Sequence, residues 1–193
     1  VAKVNENVTG MVSDQLRYTD YADKDSAIQN TVTVGGAYRP KAGGSYNALY
    51  SYKWKKDTAA DENTHVLSTH QHYRVNEKTD VSGRLGAKHG SLKEGDISVK
   101  SNSCMAAGHL QKDVTDKLGV DVHAGVMSTG DSNRRYIAGA GVHYNVMKNV
   151  RVGAGYNVSG VKDDDLDPNG TYQQGAYVGL QMKVDEDMFK WLE

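Results

Sequence analysis

The chain has 193 residues, a net charge of -1, 21 glycines against 2 prolines, and 12 tyrosines against one phenylalanine. Near-neutral charge argues against nucleic acid, which calls for a basic stripe, and the single cysteine, Cys104, allows no intrachain disulfide. No run of about 18 apolar residues exists to form a transmembrane helix, but a membrane-crossing strand needs only ~9–11 residues with half of them facing lipid, so a mean hydropathy of -0.65 excludes neither water nor membrane.

Residues 1–7 read as a lead-in, and Val1 opens on polar sequence, as in a mature or partial chain. From there apolar residues alternate with polar or small ones, the period of a two-faced strand. Val8–Tyr18 is the first, with Val8, Val12, Leu16 and Tyr18 on one face and Asp14 as a blemish. The second carries Ile28, Val32, Val34 and Tyr38, and ends at the turn Arg39-Pro40-Lys41-Ala42-Gly43-Gly44. Tyr46, Ala48, Tyr50, Tyr52 and Trp54 share a face of the third; charged residues 55–63 then read as a loop. The fourth sets His65, Leu67, Thr69, Gln71, Tyr73 and Val75 against Val66, Ser68, His70, His72 and Arg74, and the fifth sets Val81, Gly83, Leu85 and Ala87 against Ser82, Arg84, Gly86 and Lys88. In the sixth, Ile97–Gln111, the pattern loses phase between Val99 and Met105, which suggests a bulge and leaves Ser101 and Ser103 on the apolar face.

Leu118–Val126, Tyr136–Val146 and Val150–Val158 alternate cleanly, and the chain returns through Ala176, Val178, Leu180, Met182 and Val184 after the acidic stretch Lys162–Gly170. These segments predict an all-β single domain over residues 1–193: a ten-stranded antiparallel up-and-down (meander) closed β-barrel, with strands over about 8–184 and a tail over 185–193. Compact turns fall near 40, 76, 114 and 148 and longer polar loops near 23, 59, 94, 131 and 165, the two-rim asymmetry of outer-membrane barrels.

The polar face carries Arg17, Lys53, His70, His72, Arg74, Arg84, Lys88, Asp121, His123, His143, Asn145, Arg151, Asn157, Gln181 and Lys183. Burying so many ionisable groups in a dry core is costly, so they are expected to line a polar, mainly basic lumen. The glycines among them (Gly119, Gly125, Gly139, Gly141, Gly153, Gly155, Gly179) suit a narrow lumen, and Tyr18, Tyr38, Tyr46, Trp54, Tyr73, Tyr136 and Tyr144 sit where interfacial girdles would. The inverse arrangement, a water-soluble barrel with the apolar face inside and an apolar small ligand bound there, is the alternative. The two diverge on one observation: whether Val152 and Tyr156, or Arg151 and Asn157, point outward.

The ending Gly153-Ala154-Gly155-Tyr156-Asn157-Val158-Ser159-Gly160, Asp163-Asp164-Asp165-Leu166, Gly175-Ala176-Tyr177 and Lys183-Val184-Asp185-Glu186-Asp187 resembles the C-terminal hairpin of bacterial outer-membrane β-barrel domains that close large repeat-containing surface proteins of Gram-negative bacteria. Residues 173–180 also resemble the C-terminal signal read by the barrel-assembly machinery. The resemblance covers about residues 150–190. It implies an outer-membrane location, contact with membrane lipid, assembly by that machinery, and a role as membrane anchor or small pore. The family pattern prefers Phe where this chain has Val158, Val161 and Val184, a departure in the direction of drift or of redesign for solubility.

Other constellations are weaker. Asp165-Leu166-Asp167-Pro168-Asn169-Gly170 fits the first half of a calcium loop, but Ala176 stands where the bidentate carboxylate belongs; a solvated outer loop is the expectation. His70 and His72, with His123 or His143 across the barrel, have no accompanying ligand at metal spacing, so no metal or cofactor is assigned. Asp121 and His123 share a face, but a lone pair is thin support for an acid–base couple, and no enzyme is expected. The apolar tail Met188-Phe189-Lys190-Trp191-Leu192 suits an interface, a plug or a docking segment.

Overall fold

The computed structural model describes every residue except 22–23, 42, 58–59, 131, 148–149 and 183–193. Lys183 and the apolar tail therefore lie outside the described residues. The ten expected strands correspond to β2 (Val8–Tyr21), β3 (Lys24–Tyr38), β4 (Ser45–Lys56), β5 (Ala60–Asn76), β6 (Thr79–Glu94), β7 (Ile97–Asp113), β8 (Leu118–Thr129), β9 (Asn133–Met147), β10 (Val150–Ser159) and β11 (Gly175–Met182), preceded by a two-residue β1 (Ala2–Lys3). Every neighbouring pair is antiparallel, and the spatial order follows the chain from β1 to β11. The meander is thus formed; among the described residues no ladder joins β11 to β2, which leaves the closing seam of the predicted barrel unpaired.

Several strands outrun their predicted ends. Residues 55–63 and 92–96 lie largely within ladders, where Lys55 faces Glu62, Lys56 faces Asp61, and Asp61 faces Lys93. Opposite charges directly across a ladder favour the pairing, so residues that look like loop singly are strand in company. The link after β6 shrinks to Gly95-Asp96, with Gly95 at φ 56, a left-handed position that a side chain disfavours. The long polar loop expected near 94 is therefore a tight turn, whereas residues 160–174 form an extended connection.

β7 has no bulge. Its ladders with β6 and β8 run without a register shift. Ser103, Met105 and Ala107 are buried and Cys104 is exposed, so Ser101 and Ser103 belong to the polar face. The pattern lost phase because Met105 and Ala107 are apolar residues on that face.

The outward face is apolar along β8–β11, while on β4–β7 it also carries Lys56, Asp61, His65, Gln71, His89, Lys93 and Lys100. Val152 and Tyr156 are 40% and 54% exposed, while Asn157, on the opposite face, is 1% exposed. Across β8–β11, outward positions such as Val122, Tyr136, Val142, Tyr144, Val158, Val178 and Leu180 are exposed, and the one charged outward residue is Arg134 at the rim. Asp14 on β2 is likewise outward, where Asn30 donates a hydrogen bond to its Oδ1 at 3.0 Å. This orientation is incompatible with a cup whose apolar face points inward.

The sheet is strongly curved. Residues 160–174 touch β4, β6, β8 and β10 from one side. Six neighbour spacings separate β4 from β10, about 29 Å on a flat sheet, so one short segment reaches both only if the sheet wraps around it. A small apolar core forms where they meet: Val66, Met105, Ala107, Met127 and Ile137 from the wall, with Val161, Leu166 and Tyr172 from the segment. Val161, where the family pattern prefers Phe, is 2% exposed within this core.

Candidate functional site

Directly paired residues share a face, so the ladders can be followed strand by strand. Lys53 faces Thr64, Val66 faces Lys88, Lys88 faces Ser103, Met105 faces Met127, His123 faces Gly139, and Gly139 faces Asn157. On this face the structure also places Arg17, His70, His72, Arg74, Arg84, Asp121, His143, Asn145, Arg151 and Gln181. All the described lumen candidates are therefore on the concave side, though not as one group. Arg17 and Gln181 stand exposed on β2 and β11, the strands flanking the seam.

The acidic stretch does not project outward. It turns back into the lumen and meets the cations of the β4–β6 wall. Lys53 Nζ lies 2.6 Å from Asp165 Oδ1, Lys88 Nζ 2.5 Å from Asp163 Oδ2 and 3.4 Å from Asp165 Oδ2, and Arg84 Nη1 3.0 Å from Asp167 Oδ1. The Asp167 side chain is 1% exposed and that of Arg84 19%. Burial works against the charged form of Asp165, but hydrogen bonds and charge from Lys53 and Lys88 outweigh it and hold this carboxyl below its ordinary value. The calcium-loop reading fails for the same reason: Asp165 and Asp167 already answer protein cations.

The segment is shaped for its position. Asp163 Oδ1 accepts from the backbone N–H groups of Asp165 and Leu166 at 3.0 Å each, an Asx turn. Tyr172 N–H donates to Asp167 Oδ2 at 2.7 Å, and Val161 N–H donates to Tyr172 O at 2.8 Å. From the wall, Asn157 Nδ2 donates to Thr171 O at 3.0 Å and to Gln173 O at 2.7 Å. Burial, with Asp167 nearby, pushes the Tyr172 phenol above its ordinary value, and its ring packs beside His123 at 5.7 Å between centroids. A Cβ on Gly86 would stand 2.8 Å from Leu166 Cδ2, so this glycine makes room for the segment.

A second polar network lies on the β7–β11 wall. His143 Nε2 and Arg151 Nη2 meet Asp113 Oδ1 at 2.8 and 3.2 Å. Tyr177 OH donates to Asp121 Oδ2 at 2.9 Å, and its ring lies over Gly155, where a Cβ would collide with it. Gly139 similarly leaves space for His123 and Asn157, and Gly119 for His143. His70 and His72 take no part in either network: His72 sits 3.1 Å from Asp80 near the short-turn rim. A cavity of about 740 Å³ lies between this wall and residues 169–172, and another of about 860 Å³ opens beside the short turns. Both are lined by Gln111, Arg151 and Gln181. The concave side thus holds a cavity beside the short turns and is occupied toward the other rim by residues 160–174.

Neither a protein-family model nor any curated protein sequence matches the chain. Solved structures similar to it include three outer-membrane proteins. The translocator domain of the autotransporter NalP from Neisseria meningitidis has 12% identity over 93% of this chain and 89% of that one, with a TM-score of 0.35. The NanC porin has 10% identity over 92% and 98%, with a TM-score of 0.47. The Pseudomonas putida toluene transporter TodX has 10% identity over 93% and 70%, with a TM-score of 0.44.

Proposed function

We propose that the chain is a bacterial outer-membrane β-barrel, an anchor or small pore whose lumen is sealed at one end by its own acidic segment. The observation that carries this reading is the orientation of the sheet: its apolar face is exposed and its charged face is filled from within. Water gives no reason for Val, Leu and Tyr to cover the convex side, and a contiguous apolar surface of this kind marks a membrane or a partner. The tyrosine rows fit a membrane. On β4, Tyr46 and Trp54 stand eight positions apart, as do Tyr136 and Tyr144 on β9. That is about 27 Å along a strand, or roughly 20 Å across a membrane at a usual barrel tilt, close to the ~25 Å apolar band between aromatic girdles.

Hydrocarbon tolerates no open sheet edge, so the reading requires β2 to pair with β11 and close the ten-stranded barrel. Lipid is then the partner of the outer face, and assembly falls to the barrel-assembly machinery. No catalytic step is part of the role. Detergent extraction and planar-bilayer recording test it together. The full chain should need detergent to stay monodisperse and should give few or no conductance steps; removing residues 162–170 should bring steps. A chain monodisperse without detergent overturns the membrane role, and a deletion variant that inserts but stays silent reduces the role to anchoring.

A further inference from the structure

The β7–β8 wall brings together a set of side chains that neither seal the lumen nor pair with the acidic segment. His109 and His123 face each other across the ladder, and Asp121 lies two positions from His123 on the same face. Their ligand atoms lie within 4.8 Å of one another, with His109 Nε2 3.7 Å from Asp121 Oδ2. We infer that His109, Asp121 and His123 form a divalent transition-metal site inside the lumen.

The surroundings suit a metal. His123 Nε2 is 2.8 Å from Asn157 Oδ1. The Asn157 amide nitrogen donates to two backbone carbonyls, so its oxygen faces the imidazole and must accept. His123 therefore carries its proton on Nε2 and keeps the Nδ1 lone pair for a ligand bond, the usual way in which a second partner fixes a metal-binding histidine. Tyr177 does the same for Asp121 by donating to its Oδ2. Around a tetrahedral Zn²⁺, with bonds of about 2.0–2.1 Å, ligand atoms stand roughly 3.3 Å apart. Side-chain rotations of about an ångström would bring this trio to that spacing. Two imidazoles and one carboxylate favour Zn²⁺, Cu²⁺ or Ni²⁺ over Mg²⁺ or Ca²⁺, and the remaining coordination positions open on the 740 Å³ cavity, where water or a small anion has room. His143 is committed to Asp113 and is not a member.

Titration of the full-length folded chain with Co²⁺ and Zn²⁺ tests the site. We expect one equivalent of Co²⁺ to bind with visible d–d absorption and Zn²⁺ to displace it. His109→Ala and His123→Ala should each weaken binding at least about 100-fold, and Tyr177→Phe about tenfold, in line with ligand and outer-shell losses elsewhere. His65→Ala with His89→Ala, remote from the trio, should leave binding unchanged. Absence of binding, or binding lost with His65 and His89 but kept without His109 and His123, overturns the site. Should the histidine variants fail to fold, the electron paramagnetic resonance of Cu²⁺ on the unsubstituted chain decides: coupling to two imidazole nitrogens supports the site, and its absence overturns it.

Discussion

Arg84→Ala is the sharpest way to open the sealed end. Arg84 donates to Asp167, whose side chain is 1% exposed and whose other carboxylate oxygen is held by Tyr172 N–H. Without the guanidinium, the docked segment would bury a carboxylate with only a neutral donor. Removing one partner of a buried pair costs about 3–5 kcal/mol. Arg84 retains 19% exposure, so the lower end, about 3 kcal/mol, is the fair figure, a shift of more than a hundredfold in the docking equilibrium at ~1.4 kcal/mol per factor of ten. The charge, more than the lost contact, makes up most of this cost. Asp167→Asn in the Arg84→Ala background keeps an oxygen for Tyr172 N–H, removes the buried charge and should restore docking.

Two readouts follow docking. Limited proteolysis within residues 160–174 should be slow for the parent, fast for Arg84→Ala and slow again for the double variant; bilayer conductance should follow the same order. If Arg84→Ala is as resistant and as silent as the parent, the pair does not hold the segment. If the double variant is as open as the single, the cost came from lost packing and the electrostatic account is wrong.

Three further outcomes are expected. A fluorophore on Cys104, which is exposed on the outward face, should be quenched by nitroxide-bearing lipid and not by an aqueous quencher; the reverse would place this face in water. Gly155→Ala sets a Cβ against the Tyr177 ring and 2.6 Å from Ala140 O, whereas Gly179→Ala meets nothing within 4 Å. Overpacking should cost the first about 1–3 kcal/mol in denaturant unfolding and leave the second near the parent, and equal effects would refute the packing role assigned to Gly155. Asp165 has a folded pKa below its ordinary 3.8, so its contribution to docking is complete above that value and is lost as pH falls through the lower, folded one. Proteolytic opening should therefore begin in strong acid below 3.8 and begin at higher pH in Lys53→Met; opening of the parent near neutrality would mean that another group controls it.

The sequence makes the wall legible and the contents obscure, for a physical reason. A strand facing two environments writes its period locally, so Val150–Ser159 against Gly175–Met182 is readable from alternation, and on the polar face Gly119, Gly139 and Gly155 make room for the side chains that lie over them. Longer-range pairing writes no local pattern. Lys55 and Glu62 look like loop until they face each other. The acidic stretch looks solvated because its cations lie 112, 75 and 83 positions away at Lys53, Lys88 and Arg84. A signal was present: three aspartates at alternate positions, flanked by Val161, Leu166 and Tyr172, are more apolar company than a solvated loop needs. The proposed metal trio is half visible in the sequence, since Asp121 and His123 share a face, while His109 lies in the strand whose alternation breaks between Val99 and Met105.

The inserted segment also bears on the electrical character expected of the lumen, because it neutralises cations of the β4–β6 wall. Lys53, Arg84 and Lys88 are among the residues from which a mainly basic interior is expected, and a basic lining favours anions. In the folded chain each meets a carboxylate, and Arg151 and His143 meet Asp113. On the proposed function, the docked state therefore presents little net charge along the β4–β6 wall and gives no reason to select by sign. Undocking exposes three cations on the wall while the three aspartates leave with the segment. If residues 160–174 move out as a unit, the open state of Arg84→Asn should select anions less than that of a variant lacking residues 162–170, because the substitution removes one of the three cations and the deletion keeps them all. Reversal potentials in a salt gradient measure this. Equal selectivity in the two open states would show that the β4–β6 cations do not set the field of the pore.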